Sequence, residues 1–232
     1  MTTSSLPQLK MPLSNRLRAS RARLVWWWST RRLTLLKRSL DVTLVLGALL
    51  VLAPLFALVA LAIKLYDRGP VLFWQKRVGL NGRIFEFPKF RSMCVNAEAV
   101  RAALMANNQH GSEGVTFKMK RDPRITPIGR LIRRTSIDEL PQLWCVLTGD
   151  MSLVGPRPPL INEVARYTMK ERQRLSVTPG LTCIWQVNGR SEIPFPQQVL
   201  MDIDYIQQRS MRTDVKLLAQ TLPAVIRGRG AY

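Results

Sequence analysis

Two adjacent carboxylates, Asp138 and Glu139, stand in the segment RRTSIDELPQL at residues 133–143. The chain has 35 Lys and Arg residues against 15 Asp and Glu residues, a net charge of +20, so neighbouring acids are unusual in it. Proline is tolerated in the first turn of a helix, and Pro141 therefore predicts a helix that begins close to Asp138. Ser136 and Glu139 also have the spacing of a capping box. A helix cap with local ion pairs is the simplest interpretation of this motif.

A second interpretation assigns chemistry to the two acids. The helix dipole and the preceding arginines favour the ionised form of both. Successive side chains on an α-helix point about 100° apart, so the pair is poorly placed to share one proton. Separate roles suit it better, with one carboxylate attacking and the other holding a cation. Aspartate can attack phosphorus, and magnesium prefers a carboxylate together with substrate phosphates.

The composition restricts the other kinds of chemistry. The only histidine is His110, and Cys94, Cys145 and Cys183 lack paired metal-ligand spacing, which argues against histidine catalysis and a zinc cluster. The basic charge predicts an anionic partner: nucleic acid, anionic lipid or a phosphorylated substrate. Because no nucleic-acid-binding motif is visible, we expect no nucleic-acid partner.

An uncharged segment, VTLVLGALLVLAPLFALVALAI at residues 42–63, predicts insertion into a membrane. As a helix it would extend about 33 Å, close to the thickness of the hydrocarbon layer. Pro54 near its midpoint predicts a kink or a break. Basic residues flank both ends, which favours placing both on the cytoplasmic face. From these signals alone, a re-entrant helix and a plain spanning helix are equally open.

This segment divides the chain into three predicted parts. Residues 1–36 form a basic tail with three consecutive tryptophans, a residue type enriched at the membrane–water interface. We interpret this tail as a surface anchor. Residues 37–66 are predicted to form the membrane helix, and residues 67–232 are predicted to form a cytosolic domain, which would carry any catalysis by the two acids.

The last part predicts an α+β fold that is mainly helical. VLFWQKR and RIFEFPKF alternate around an Asn81-Gly82 turn and predict a β-hairpin. Helical periodicity predicts helices at residues 95–108 and 161–175 and two more in the segment from residue 196 to 228.

Four motifs, in this order, resemble those of the bacterial sugar transferases, the small monotopic phosphoglycosyl transferases that begin lipid-linked glycan assembly: KRSLDVTLVLGALLVLAPLFALVALAIKL, GPVLFWQKRVGLNGRIFEFPKFRSM, DPRITPIGRLIRRTSIDELPQLWCVLTGDMSLVGPRPPL and TPGLTCIWQVNGRSEIPF. The resemblance runs from about Lys37 to Tyr232. It implies a re-entrant membrane helix, although the family's Ser-Pro pair is Ala53-Pro54 here. The ending LPAVIRGRGAY is similar to the branch that serves exopolysaccharide or O-antigen production.

The resemblance also implies an activity and its site. The expected reaction moves a sugar 1-phosphate from a UDP-sugar to undecaprenyl phosphate and releases UMP, at the cytoplasmic face of the bacterial inner membrane. Asp138 is the expected nucleophile, which forms a covalent phosphosugar intermediate, and Glu139 is the expected ligand of Mg²⁺. The expected phosphate-binding residues are Lys89, Arg91, Arg133, Arg157 and Arg190.

Two other functions remain open at this point. One is a membrane-bound glycosyltransferase that moves the sugar alone and releases UDP. The other is a non-enzymatic, basic protein anchored in the membrane, which would have no need of the acid pair. Neither the sugar nor the oligomeric state is indicated by the sequence.

Overall fold

The computed structural model describes residues 13–97 and 122–227, and it describes side chains within residues 34–97 and 122–224, apart from residue 191. The helix predicted at residues 95–108 falls for the most part outside them. The α-helices are α1 (Leu13–Asp67), α2 (Pro127–Arg134), α3 (Leu143–Thr148), α4 (Ile161–Val164), α5 (Met169–Arg172), α6 (Ile184–Asn188), α7 (Phe195–Gln208) and α8 (Met211–Arg227). The 3-10 helices are Leu80–Gly82, Ile137–Gln142, Gln173–Ser176 and Arg190–Glu192. The strands are β1 (Leu72–Val78), β2 (Ile84–Phe90), β3 (Ser152–Val154) and β4 (Gly180–Thr182).

The strands form two small sheets. β1 and β2 pair antiparallel with Leu72 opposite Phe90, as the alternating sequence predicts. Gly82, in the connection between them, has a φ of 84°, which glycine adopts without strain. β3 and β4 pair parallel, and a Cβ on Gly180 would lie 2.0 Å from the Gly155 nitrogen, so only glycine fits there. The fold is therefore mainly helical with small sheets, as expected.

The chain divides into two compact units, residues 1–40 and 41–232. Within the second unit, the apolar part of α1 contributes to two hydrophobic clusters. Val45 is buried with Phe87 of β2 in the first cluster. Farther along the helix, Val59 belongs to the second cluster. This part of α1 thus belongs to the same core as β2.

The second cluster joins the end of α1 to two other elements. Ile63 is buried there with Phe90 of β2 and Ile132 of α2. Phe56 meets Phe90 edge-to-face with ring centroids 5.5 Å apart. The boundary predicted between residues 66 and 67 stays a prediction, while residues 41–67 pack with the rest of their unit.

Polar contacts also fix both ends of this part of α1. Asp41 is buried and accepts hydrogen bonds from the Ser152 hydroxyl, at 2.7 Å, and from the Leu153 N–H, at 3.3 Å. At the other end, Asp67 forms an ion pair with Arg91, the residue after β2. The apolar helix is therefore attached to the folded unit at its start and at its end.

The opposite face of the helix is apolar and exposed. Leu50 and Val51 are 80% and 77% exposed. Among the described residues, the part Thr34–Asp67 is long and apolar enough to cross a membrane, judged by length and composition. The chain is helical on both sides of Pro54 and through it, so the re-entrant path stays a prediction.

The single helix predicted at residues 161–175 is wrong. This region contains α4, α5 and a 3-10 helix. Thr168 is extended and begins a new helix, because its side chain and that of Glu171 form a reciprocal capping box. The two predicted C-terminal helices are confirmed as α7 and α8.

Candidate active site

The two adjacent acids lie on the 3-10 helix Ile137–Gln142. Ser136, which precedes it, has a left-handed backbone with φ 57°, and its side chain makes no capping hydrogen bond. The predicted capping box is therefore wrong. The Glu139 N–H donates to the Ser136 carbonyl at 3.2 Å, while its carboxylate turns to residues from other elements. Successive residues of a 3-10 helix turn by about 120°, so Asp138 and Glu139 still point in different directions.

Glu139 is held by two cations. The Lys89 ammonium on β2 donates to its Oε1 at 2.9 Å. The Arg157 guanidinium, on the loop after β3, donates to both oxygens as a fork, with Nη1 at 3.1 Å from Oε2. Burial alone would raise the pKa of Glu139, but Arg157 and Lys89 together lower it well below its usual range. Glu139 is thus fixed as an anion.

Asp138 has a different environment. Its side chain is 7% exposed, and no hydrogen bond or ion pair joins its carboxylate to another described residue. Burial raises the pKa of Asp138 to about 6, although Lys89 opposes this shift. The nearby cations favour its ionised form, as expected, but burial outweighs them and raises the pKa above its usual range. At pH 7 the group is still roughly ten parts ionised to one.

Two further arginines act electrostatically on the acid pair. Arg133 donates from Nε to the Ser92 hydroxyl at 2.9 Å. Burial lowers the pKa of Arg133, while the charge of Asp138 opposes that shift. Burial likewise lowers the pKa of Arg190, with Glu139 acting against it. Both guanidinium groups are therefore within electrostatic reach of the acids.

Arg91 has a separate partner. Its guanidinium is buried and paired with Asp67 at the end of α1, and its Nη1 has no partner among the described residues. A Cβ on Gly69 would lie 2.1 Å from that nitrogen, so the glycine leaves the room that Arg91 occupies. The structure therefore places Arg91 at the end of the apolar helix rather than beside Glu139.

The arrangement has an excess of positive charge. Two carboxylates face four cations, which are Lys89, Arg133, Arg157 and Arg190. Guanidinium forks match phosphate oxygens, so such a site suits an anion with several phosphate oxygens. It combines that capacity with a buried carboxylate that has no hydrogen bond to another described residue.

Comparison with known proteins identifies the family of this chain. A family model described as bacterial sugar transferase matches residues 32–228. The chain belongs to the bacterial sugar transferase family. The exopolysaccharide production protein ExoY of Sinorhizobium fredii is 38% identical over 198 residues, which cover 84% of this chain and 88% of ExoY.

Two larger relatives of this sugar transferase match over part of their length. The galactosyl transferase CpsE of Streptococcus agalactiae is 47% identical over 196 residues, which cover 84% of this chain and 43% of CpsE. The UDP-glucose:undecaprenyl-phosphate glucose-1-phosphate transferase of Escherichia coli is 39% identical over 206 residues, or 85% of this chain and 42% of that enzyme. The chain therefore spans less than half of either protein.

Sequence reasoning missed one residue of the candidate site. Arg77 of β1 donates to the Pro158 carbonyl at 2.9 Å, beside Arg157, and lies 5.1 Å from the centre of the Phe87 ring. Burial lowers the pKa of Arg77 to about 10, and Arg157 adds to this effect. The strand register could have indicated Arg77, because Arg77 lies on the same face of the hairpin as Lys89.

The residues of the candidate site fit magnesium in one mode, together with phosphate oxygens of a substrate. The described residues contain no group of three or more His, Cys, Asp or Glu side chains that could hold a metal ion. Both oxygens of Glu139 already accept hydrogen bonds from cations. Magnesium commonly binds through one or two carboxylates plus phosphate oxygens. The acid pair fits that mode if Lys89 or Arg157 turns from Glu139 to a phosphate.

Proposed function

We propose that this sugar transferase moves a sugar 1-phosphate from a UDP-sugar to undecaprenyl phosphate and releases UMP. The step would be the first membrane step of exopolysaccharide, O-antigen or capsule assembly. The names of ExoY and of the Escherichia coli enzyme support this proposal. CpsE is named for galactose and the Escherichia coli enzyme for glucose, so the names leave the sugar open.

The environment of the acid pair carries the mechanistic part of the proposal. Asp138 is a buried carboxylate without a hydrogen bond to another described residue, whereas Glu139 is held by Lys89 and Arg157. A carboxylate free of hydrogen bonds keeps its lone pairs for attack, and one fixed by two cations does not. The contrast supports Asp138 as the nucleophile and Glu139 as the fixed anion.

The first step would be attack of an Asp138 oxygen on the phosphorus that bears the sugar. An O–P bond forms, the bond from that phosphorus to the bridging oxygen breaks, and UMP leaves with the electron pair. In the second step an oxygen of undecaprenyl phosphate attacks the same phosphorus and displaces the Asp138 carboxylate. This two-step route allows the soluble donor and the lipid acceptor to react in turn, as in ping-pong kinetics.

The cations of the site would neutralise the donor. Lys89 and Arg157 are positioned to move from Glu139 to the diphosphate, and Arg133 and Arg190 already act electrostatically on the acids. Glu139, released from them, would hold Mg²⁺ with the phosphate oxygens. Bound there, the metal would supply charge neutralisation for the transferred group. Arg91, predicted to bind phosphate, has Asp67 as its described partner and takes no part in this scheme.

The attachment of the apolar helix supports a position at one membrane face. Asp41 and Asp67 both bond to the folded unit, one at each end of the apolar run. A spanning helix has its ends on opposite faces, about 30 Å apart, so the folded unit would have to extend through the hydrocarbon. We therefore propose that the helix enters and leaves by the cytoplasmic face of the inner membrane.

A nucleotide assay tests the reaction. Detergent-purified protein is incubated with Mg²⁺, undecaprenyl phosphate and each of several UDP-sugars, and UMP and UDP are measured separately. We expect UMP with one sugar, and no UMP from Asp138→Asn or Glu139→Gln. Without acceptor, the intact mass should increase by one phosphosugar in the parent protein and not in Asp138→Asn. Release of UDP would instead establish transfer of the sugar alone, for which the name of CpsE is the one support.

A further inference from the structure

Arg77 of β1 is a cation of the candidate site that the proposed reaction does not use. It is half-buried, and its guanidinium donates three hydrogen bonds. Nε and Nη2 donate to the side-chain oxygen of Gln75 at 3.1 and 2.8 Å, and Nη1 donates to the Pro158 carbonyl at 2.9 Å. A guanidinium has five N–H groups, so two remain for another partner.

The charge of Arg77 is not paired with an anion. Its three hydrogen bonds go to neutral oxygens, and no carboxylate among the described side chains forms an ion pair with it. The neighbouring Arg157, in contrast, is paired with Glu139. Burial lowers the pKa of Arg77, and the charge of Arg157 adds to this effect, while Glu163 and Glu139 oppose it. An anion bound at Arg77 would offset both the burial and the repulsion.

The hairpin brings the charged groups of Arg77 and Lys89 to one aromatic ring. Lys89 is paired with Phe73, four residues before Arg77 on β1, so the two side chains begin about 13 Å apart along the strand. Their charged groups nevertheless lie 5.1 Å and 5.5 Å from the centre of the Phe87 ring. Arg77 thus extends the cations of the site along the hairpin, from Lys89 toward the turn.

The order of these cations fits the order of the two phosphates in a diphosphate. Lys89 lowers the pKa of Asp138 more strongly than Arg157 does. Arg77 lies next to Arg157, since it donates to the carbonyl of the residue that follows Arg157. A phosphorus attacked by Asp138 would therefore lie beside Lys89. The second phosphorus, one bridging oxygen away, would lie toward Arg157 and Arg77.

We propose that Arg77 binds the phosphate that leaves with UMP, an inference that rests on the proposed reaction and deepens it. In the bound UDP-sugar, the two remaining N–H groups of Arg77 would donate to oxygens of the phosphate that bears uridine. Gln75 already orients the guanidinium, so little freedom is lost on binding. When the bridging bond breaks, this phosphate gains negative charge, and Arg77 would stabilise it more strongly than in the donor.

Equilibrium dialysis with labelled UMP and labelled uridine tests the proposal without turnover. The full chain is used in detergent with Mg²⁺, and the ratio of the two affinities measures the contribution of the phosphate. The variant is Arg77→Gln. Its matched control is Lys76→Gln, which removes the same charge from the neighbouring, exposed position on the opposite face of β1.

We expect the parent protein and the control to bind UMP more tightly than uridine. Arg77→Gln should reduce the ratio on the order of tenfold and leave the affinity for uridine unchanged. Arg77→Lys keeps the charge but loses the fork, so it should show a smaller loss, also if Arg77→Gln does not fold. The proposal is overturned if the parent binds UMP no better than uridine, if the ratio is unchanged in Arg77→Gln, or if Lys76→Gln loses as much.

A second comparison separates phosphate binding from support of the loop. Arg77 also holds Pro158, so UMP binding would weaken as well if the loop merely displaced Arg157. In an Arg157→Gln background, Arg77→Gln should still reduce the ratio severalfold, because it removes a contact of its own. If the loss disappears in that background, Arg77 acts only through the loop, which overturns the proposal. The nucleotide assay on the parent protein decides the reaction separately, because dialysis involves no turnover.

Discussion

Two buried acid–base clusters of this protein differ in their balance of charge. Asp202 of α7 is 1% exposed, and Arg174 donates to its Oδ2 from Nε at 2.8 Å. The Trp185 ring N–H lies 3.3 Å from the same oxygen, and Tyr167 accepts from Arg174 at 2.8 Å. Here one acid meets one cation, and aromatic residues close the cluster. Such a pair holds α7 in place and leaves no net charge for a ligand.

The pair Asp138–Glu139 is organised differently. Lys89 and Arg157 bind one of the two acids, and the other carboxylate has no hydrogen bond among the described residues. Arg133 and Arg190 add further positive charge. The comparison shows that burial and ion pairing alone do not identify a site. The Asp138–Glu139 cluster differs by its excess of cations beside an acid without a hydrogen bond to another described residue, and this difference supports the proposed site.

The largest effect should come from changing Asp138, the acid that has no hydrogen bond to another described residue. Asp138→Asn removes the proposed nucleophile, and we expect UMP release to fall on the order of 10⁴-fold or more. The free energy of unfolding should stay unchanged or increase, because an amide removes a buried charge. Release of UMP and thermal unfolding in detergent measure the two quantities. Asp204→Asn, at an exposed position on α7, should leave both as they are; a loss of stability in Asp138→Asn would mean that the acid holds the fold.

The Asp202–Arg174 cluster should respond in the opposite way, with a loss of stability rather than of activity. Asp202→Asn leaves the Arg174 charge buried without its anion, which commonly costs about 3–5 kcal/mol of stability. We expect a large decrease in the free energy of unfolding, measured with denaturant, and near-normal UMP release from the protein that remains folded. If the variant were stable but inactive, Asp202 would belong to the site.

A smaller effect should follow from changing the fork that fixes Glu139. Arg157→Lys keeps the charge but loses one of the two hydrogen bonds to the carboxylate. We expect about a 10²-fold decrease in kcat, because bidentate geometry is lost at the proposed phosphate site. Arg166→Lys at an exposed position is the matched control. Equal activity of Arg157→Lys and the parent would show that charge alone suffices.

The smallest effect should appear in the pH dependence. Burial raises the pKa of Asp138 to about 6 in the folded protein. The carboxylate must be ionised to attack, so kcat/KM for the donor should fall about tenfold per pH unit below 6. The same shift makes the folded state bind this proton more tightly, so the contribution of Asp138 to stability becomes less favourable as pH rises from about 4 to 6. A flat profile from pH 7 to 5 would contradict the shift.

The sequence predicted the helices and strands better than the side-chain contacts between them. The alternating strands, the two C-terminal helices and the apolar part of α1 follow from local periodicity. The capping box failed because Glu139 has partners far away in the chain, with Lys89 50 residues before it and Arg157 18 residues after it. Local spacing contains no information about such contacts. For the same reason, local reasoning did not reveal that tertiary burial raises the pKa of Asp138.

The two attachments of α1 have a consequence for how the protein is made. Asp41 leaves the ribosome early, and its partner Ser152 follows 111 residues later. During that interval the apolar helix is already available to the bilayer, while its inner face still lacks Phe87 and Val146. With the insertion proposed above, folding of the rest would finish against a helix that already resides in lipid. Removal of α1 to obtain a water-soluble enzyme would take away part of the surface on which the remainder folds.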